Sequence, residues 1–367
     1  RRLGSTLGWH DAERGAFGRV ISAGERVVVK PNLVLHENQG PWGIEPLVTA
    51  ASLIRAVTHE ALRAGAASVV VGDAPIQGCD FDLLLARTGL DVWAADLSAA
   101  EPRFTGVLDF RRTTCTFVDG LRVATEDLQP AENFVLFDLG GESLLEPVTD
   151  DRGMGRFRVT CYDPRLMRAT HARRRHRYLV AKHLMEADVV INLPKLKTHK
   201  KAGITCALKN LVGINGNKEF LPHHRVGGDA SGGDCYPGGS RLKRAVEVMW
   251  DWRNAAPSPR RARLWHGVGA GLSRASRFAG DEFGTEGSWH GNDTVWRMAL
   301  DLNRILLYGS PDGSMCETPK RTVLQVSDAI IAGQGEGPLA PEPLPLGMLL
   351  AARNPVARVW VGAALLQ

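Results

Sequence analysis

The chain has 367 residues, 44% of them hydrophobic, which is enough apolar mass to bury the core of one large or two ordinary domains. Forty-five Lys+Arg against 40 Asp+Glu give a formal net charge of only +5, too small an excess to imply a nucleic-acid footprint. The six cysteines form no C-x-x-C pair, which excludes a local iron-sulfur or zinc-ribbon motif, and no apolar run reaches the ~18 to 20 residues of a bilayer span.

A reduced, cytoplasmic protein without a membrane partner is the expectation. Near the start, Glu25-Arg-Val-Val-Val-Lys30-Pro31-Asn32 is a β-branched run closed by a proline turn, as in a buried parallel strand. Residues 46–64 carry apolar side chains at helical spacing with Gly65 as a C-cap, and Ala67-Ser-Val-Val-Val-Gly-Asp73 supplies the next strand. This order predicts a βαβ unit and a mainly parallel sheet. Residues 97–162 lack helical periodicity and alternate at 114–118 and 156–160, which predicts an antiparallel β-rich insertion. The basic run between Arg165 and Arg177 reads as a solvated helix face.

The spacing then predicts a helix at 178–185, a strand at 187–193, a helix at 241–252, a Pro/Arg/Gly-rich surface excursion at 255–291, a helix at 292–308 and a strand at 321–331. Together these predict an α/β fold of two lobes, with mainly parallel sheets, helices on both faces and the β-rich insertion. The N-terminal lobe spans 1–178 and the C-terminal lobe 179–367.

Open parallel sheets place ligands beyond the carboxyl ends of their strands. Three strands here end in polar signals: Lys30-Pro-Asn32, Asp73 and Pro194-Lys195-Leu-Lys197-Thr-His199. From Lys195 to Lys209 the chain places five lysines and a histidine within 15 residues. Such charge repels itself unless an anion neutralises it, so a small carboxylate or phosphate in an interlobe cleft is the expected partner. Lys30, Asn32, Asp73, Lys195, Lys197, Asn210, Lys218 and Arg225 are the candidate anion- or substrate-binding residues. His199, Lys209 and Glu336, the last in a tight glycine turn, are the candidates for catalysis. A Gly- and Pro-dense loop at 215–239 concentrates His223, His224, Asp229 and Asp234, a mixed N/O set that would suit a divalent metal. Polar residues at 293, 297, 301 and 304 share one helical face. An acid/base enzyme, with or without an assisting metal, and a non-catalytic anion- or cofactor-binding protein both fit these features.

Several strings resemble the family catalogued as domain of unknown function 362. They are Val28-Val-Lys30-Pro-Asn32, Glu60-Ala-Leu-Arg-Ala-Gly65-Ala with Gly72-Asp73, Ala187-Asp-Val-Val-Ile-Asn-Leu-Pro-Lys195-Leu-Lys-Thr-His199, Ala207-Leu-Lys209-Asn210-Leu-Val-Gly213 and Gly335-Glu-Gly-Pro338. The family's appended iron-sulfur motifs are missing from this chain, and Arg358 stands where the resemblance implies an Asp. A more distant similarity is to the lactate racemase family, which tethers a nickel-pincer nucleotide to a lysine. His199, Ala202-Gly203 and Lys209 have that family's relative spacing, while Cys206-Ala-Leu208 replaces its Gly-Gly-Arg. What this second resemblance implies is an enzyme with a lysine-tethered nickel cofactor.

Overall fold

The structure is a computed structural model and describes residues 2–118, 120–150 and 155–367. Its centre is one eight-stranded sheet. Seven strands lie in the order Gly203–Thr205, Lys195–His199, Thr322–Glu336, Val189–Leu193, Arg26–Pro31, Ser68–Asp73 and Phe104–Asp109, while Ala340–Ala352 pairs antiparallel with Thr322–Glu336. Arg26–Pro31 is parallel to Ser68–Asp73 on one side and to Val189–Leu193 on the other. The sheet therefore draws strands from both sides of residue 178, which itself lies within a strand, Arg175–Ala181.

Continuous β-branched runs suit these central strands because both faces of the sheet are covered. Val28, Val70 and Val190 enter one apolar core, which includes the helix Val295–Tyr308. Val27, Val29, Val69, Val71, Val189 and Ile191 enter the opposite core together with Leu53, Ile54, Val57, Ala61 and Leu62 of the helix Ala51–Arg63. The fold is α/β, with a mainly parallel central sheet, helices and additional antiparallel sheets.

Within 97–162 the antiparallel pieces are the hairpin Thr113–Val118 with Leu121–Asp127, and Phe134–Asp138 paired with Arg175–Ala181. The start of this stretch differs from the expectation. Leu90–Ala100 is helical, and Phe104–Asp109 joins the central sheet parallel to Ser68–Asp73. The helix expected at 178–185 begins as strand through Ala181, because His176, Tyr178 and Val180 bury at period two, and its second half is helical within Lys182–Glu186. The basic run is accordingly divided between the helix Pro164–Thr170 and two strands.

The excursion expected at 255–291 contains a long helix, Pro259–Phe278, whose first turn is capped by Ser258 accepting from the Arg261 N–H. Gly267, Gly269 and Gly271 weaken its local helical signal. Packing against Arg241–Asn254 supplies the missing support. The strand expected at 321–331 runs on to Glu336 and turns back as Ala340–Ala352, a long ribbon whose prolines and glycines mask its alternation. Among the described residues no helix is long and apolar enough to cross a membrane.

A buried ion pair ties this ribbon to the lysine-bearing strand. Lys195 Nζ lies 2.6 Å from Asp328 Oδ2, with both side chains buried. Lys195 Nζ also donates to the Ile331 carbonyl at 3.0 Å. Removing the lysine leaves a carboxylate in the core. Lys195→Met is expected to cost about 3–5 kcal/mol in denaturant unfolding, and a loss under about 1 kcal/mol would contradict this account of how the strand is held.

Candidate functional site

The geometry of the site begins with a change of register partners along the long strand Thr322–Glu336. Its first part pairs with Val189–Asn192, whereas Asp328 and Gly333 pair with Lys195 and Lys197. Lys195–His199 consequently extends past the carboxyl ends of the neighbouring central strands. In that position lies a cavity of about 630 Å3. Lys197, His199, Lys201, Lys209, Lys218 and His223 line it, together with Asn32, Asp73 and Asn210. Val34, Leu35, Ile76, Phe117, Val159, Tyr162, Val212 and Leu339 supply an apolar wall.

Behind the cavity sits a second buried ion pair. Lys30 Nζ is 2.6 Å from Asp73 Oδ1, and neither side chain reaches solvent. Lys30 also donates to the Pro31 carbonyl at 2.8 Å and to Asn210 Oδ1 at 3.2 Å. Asp73 Oδ2 accepts from the Leu33 N–H at 2.6 Å. Asn210 Nδ2 in turn donates to Asn192 Oδ1 at 2.7 Å, and Asn192 Nδ2 to Gln325 Oε1 at 2.7 Å. Burial pushes the Lys30 pKa down and the Asp73 pKa up, and the attraction between the two charges opposes both shifts. Gly213 packs directly on the pair, where an added Cβ would lie 2.0 Å from Asp73 Oδ1. Lys30 and Asn210 are thereby committed to the protein's own groups, whereas Asn32 Oδ1 is buried without a hydrogen-bond partner.

The remaining cavity lysines have no carboxylate of this kind. Lys197 Nζ donates to the Leu47 carbonyl at 2.5 Å, and Lys201 Nζ reaches Thr160 Oγ1 at 3.4 Å. Burial first, then the charges of Lys195 and Lys209, push the Lys197 pKa well below the ordinary lysine value. For Lys209, burial and the ammoniums of Lys218, Lys30 and Lys201 lower the pKa to about 7. For Lys218, burial is again the main cause and the value falls to about 8. Among the described residues neither ammonium forms an ion pair. The carboxylates on the cavity lining are Asp73, held by Lys30, and Glu37, paired with Arg87 at 3.6 Å.

Two of the imidazoles on the lining, those of His199 and His223, carry opposite tautomers, as assigned from their hydrogen bonds. His199 Nδ1 accepts from the backbone N–H groups of Lys201 and Ala202 at 3.1 and 3.2 Å, so its proton sits on Nε2. His223 Nδ1 donates to the Leu221 carbonyl at 2.7 Å, which leaves Nε2 with a lone pair. Burial and the neighbouring lysines hold both rings neutral, with pKa values well below the ordinary histidine value. One ring is thus a neutral donor and the other a neutral acceptor on the same cavity.

Other expected site residues lie elsewhere. Lys195 is held by Asp328 and does not line this cavity. Arg225 is buried against Asp234 at 3.6 Å and donates to Thr294 Oγ1 at 3.2 Å. The expected metal set does not converge. His223 faces the large cavity, while His224 lines a separate small pocket beside Glu247 and Trp250. Asp229 accepts from the Gly238 N–H at 2.6 Å, and Asp234 accepts from Thr294 Oγ1 at 2.5 Å and the Asp293 N–H at 3.0 Å. These carboxylates order the glycine-rich loop by capping its own N–H groups and pairing with arginine. Among the described residues no group of three metal-ligating side chains comes together.

Glu336 lies on the exposed end of the ribbon, paired with Lys200 and outside the cavity lining. Asp301, from the polar helical face, is buried and accepts from Tyr178 Oη at 3.0 Å. Arg358 is buried at the opposite side of the Cys206 turn, its carbonyl accepting from Cys206 Sγ. Lys201 and the apolar wall were not singled out from sequence. Lys201 sits in the visible lysine run, but the wall is assembled from segments that only the fold brings together.

The pH dependence of stability follows from the lowered lysine pKa values. Between about pH 7 and the ordinary lysine value of 10.5 the unfolded chain binds more protons than the folded one. Lys209 and Lys218 therefore make stability rise with pH across that window, and their contribution is flat below it. Urea unfolding of the ligand-free protein at pH 7 and pH 9 is expected to show a smaller rise in the Lys209→Met/Lys218→Met variant than in the parent. An unchanged rise would remove these two groups from the account.

Comparison with known proteins adds a family to this geometry. A segment of 53 residues is 45% identical to the thylakoid-associated protein sll1697 of Synechocystis sp., covering 14% of this chain and 16% of that protein. A crystal structure of a protein from Thermotoga maritima superposes with a TM-score of 0.40 and 11% identity, over 94% of this chain and 55% of that one. The present chain thus spans only part of the length of both. The family model described as domain of unknown function (DUF362) matches residues 146–363, more than half of the chain and including every cavity lysine and histidine named above, and the chain belongs to that family.

Proposed function

We propose that the protein is an enzyme acting on a small carboxylate or phosphate bound in the cavity, by acid/base chemistry. The observation that carries this reading is the meeting of four lysines and two neutral imidazoles of opposite tautomer on one cavity without an unpaired carboxylate. Several ammoniums held together in a site of low dielectric repel one another, and an anion converts that repulsion into attraction. The apolar wall adds a preference for an anion with a hydrophobic body.

In this reading Lys201 and Lys218 hold the anionic group and stabilise charge that develops on the substrate. His223 Nε2 accepts a proton and His199 Nε2–H donates one. Both are neutral at physiological pH, so neither needs a carboxylate to prepare it. A lysine-tethered nickel cofactor is supported less well. Its two shared positions, His199 and Lys209, face the cavity, but Cys206 and Ala207 are buried and Leu208 offers no cation where that family has arginine. No step is derived through such a group.

The test is a calorimetric screen of small carboxylates, phosphates and neutral analogues against the purified protein, followed by turnover assays on the anions that bind. Losing a charge-assisted hydrogen bond costs about 1.5–3 kcal/mol, so Lys218→Met is expected to weaken anion binding by tenfold or more. Affinity is also expected to fall as pH rises through about 8, where Lys218 loses its proton. His223→Gln should retain binding and lose turnover, whereas Glu336→Gln should change neither. Equal binding of neutral analogues would refute the anion reading. Binding without any turnover would leave a carrier or scaffold instead.

A further inference from the structure

We infer that Lys209 is a nucleophile that forms an imine with the carbonyl carbon of an α-keto acid bearing an apolar side chain. This rests on the anion-cavity reading and adds to it a bond, a reacting atom and a substrate class.

The argument starts from what distinguishes Lys209 among the cavity lysines. Lys197 is tethered to a main-chain carbonyl, Lys201 leans on Thr160, and Lys30 is neutralised by Asp73. Among the described residues Lys209 and Lys218 line the cavity with no hydrogen bond or ion pair at Nζ, and of the two it is Lys209 that an α-helix carries, Ala207–Asn210, whose Asn210 is locked to Asn192 and Lys30. An ammonium has no lone pair and cannot attack, so a lysine nucleophile must be neutral while its neighbours stay charged. Crowding by cations in a buried site produces that difference. It agrees with the downward shift at Lys209, to about 7, caused by burial and the neighbouring ammoniums.

The substrate class follows from the surroundings. A lysine amine needs an electrophilic carbon, which a simple phosphate lacks and a ketone supplies. An α-keto acid places its carboxylate one bond from that carbon, so Lys218 and Lys201 can hold the anion while Lys209 reaches the ketone. Phe117, Tyr162 and Leu339 then face the side chain.

In the step itself, the Lys209 lone pair forms the C–N bond as the carbonyl π pair moves to oxygen. The oxygen leaves as water, carrying one proton from the amine and one from a neighbouring ammonium. An iminium ion remains that keeps the other amine proton, and hydrolysis reverses the sequence. His223 Nε2 is the acceptor for a proton on the carbon next to the iminium, which that cation acidifies.

Borohydride reduction of the intact protein in the presence of phenylpyruvate tests this, with α-ketoisocaproate as the aliphatic counterpart. One stable secondary amine is expected, mapped by peptide mass spectrometry to Lys209, and its yield should rise with pH around 7 rather than around the ordinary lysine value. Lys209→Arg should abolish it, and phenylacetate, which has the anion without the ketone, should compete. Phenylacetate binding with no adduct, or with an adduct on another lysine in the parent protein, overturns the nucleophile and leaves the anion cavity standing. Failure of both phenylacetate and the keto acids to bind overturns the inference together with the reading beneath it. Because the mapping is done on the parent protein, a variant that fails to fold does not decide the result.

Discussion

The buried pair of Lys30 and Asp73 is the constraint on which the rest of the site depends. At 2.6 Å, with both groups removed from water, the pair is supported by Pro31 and Asn210, which take the other two Lys30 donors, and by the Leu33 N–H on Asp73 Oδ2. The pair and its partners come from the ends of two adjacent parallel strands and from the helix after the lysine-bearing strand. The pair thus fixes the relative height of three segments that are far apart in sequence. It also forces glycine at position 213, because any side chain there would occupy the space of the carboxylate.

A carboxylate already neutralised by its own lysine does not neutralise the others. The field of Asp73 reaches Lys197, Lys209 and Lys218, and raises their pKa values against the larger effect of burial. Its full pairing with Lys30 keeps it from capturing any of them. A surface cluster of lysines would be screened by water and salt within about 10 Å, but Lys197 is buried and Lys201, Lys209 and Lys218 are only partly exposed, so screening is weaker. The fold therefore maintains a cationic cavity at a cost in stability. Such a cost is reasonable where a ligand supplies the missing charge.

What could be read from sequence divides along the same physical line. Val27 to Val29, Val69 to Val71 and Val189 to Ile191 announce buried parallel strands because a continuous β-branched run has few other uses, and their order announces the crossover. The carboxyl-end rule then carried Asp73, Lys197, His199 and Lys209 to one cavity. What stayed hidden depended on long-range pairing. Lys195 and Lys197 look equivalent two residues apart, yet Asp328, more than a hundred residues on, claims the first and leaves the second. His223 and His224 sit side by side in a loop rich in ligand types, yet His223 lines the large cavity and His224 a separate pocket. Glu336 lies in a turn suited to a catalytic acid, but the length of the ribbon carries it out to solvent, where Lys200 meets it. The carboxylates at 229 and 234 resemble metal ligands because capping a glycine-rich loop and binding a cation select the same side chains.

The site's proton economy follows from having no free carboxylate. In most acid/base sites an Asp or Glu orients a histidine and stabilises its charged form; here backbone groups do the orienting, and lysines oppose the charged form. A neutral imidazole in a cationic field is a weak base until the field is reduced. An arriving anion reduces it by pairing with the ammoniums, raising the pKa of the lysines it touches and of the rings they had held down. Ligand and proton affinity are consequently linked in the same direction. Protons are taken up as the anion binds, mainly by groups half-deprotonated near neutral pH, of which Lys209 is the leading case. Contact with the carboxylate would therefore return Lys209 to its ammonium form, so for the amine to stay nucleophilic the carboxylate must seat on Lys218 and Lys201. The spacing between a substrate's anionic group and its electrophilic carbon then determines which anions the cavity merely holds and which it can attack.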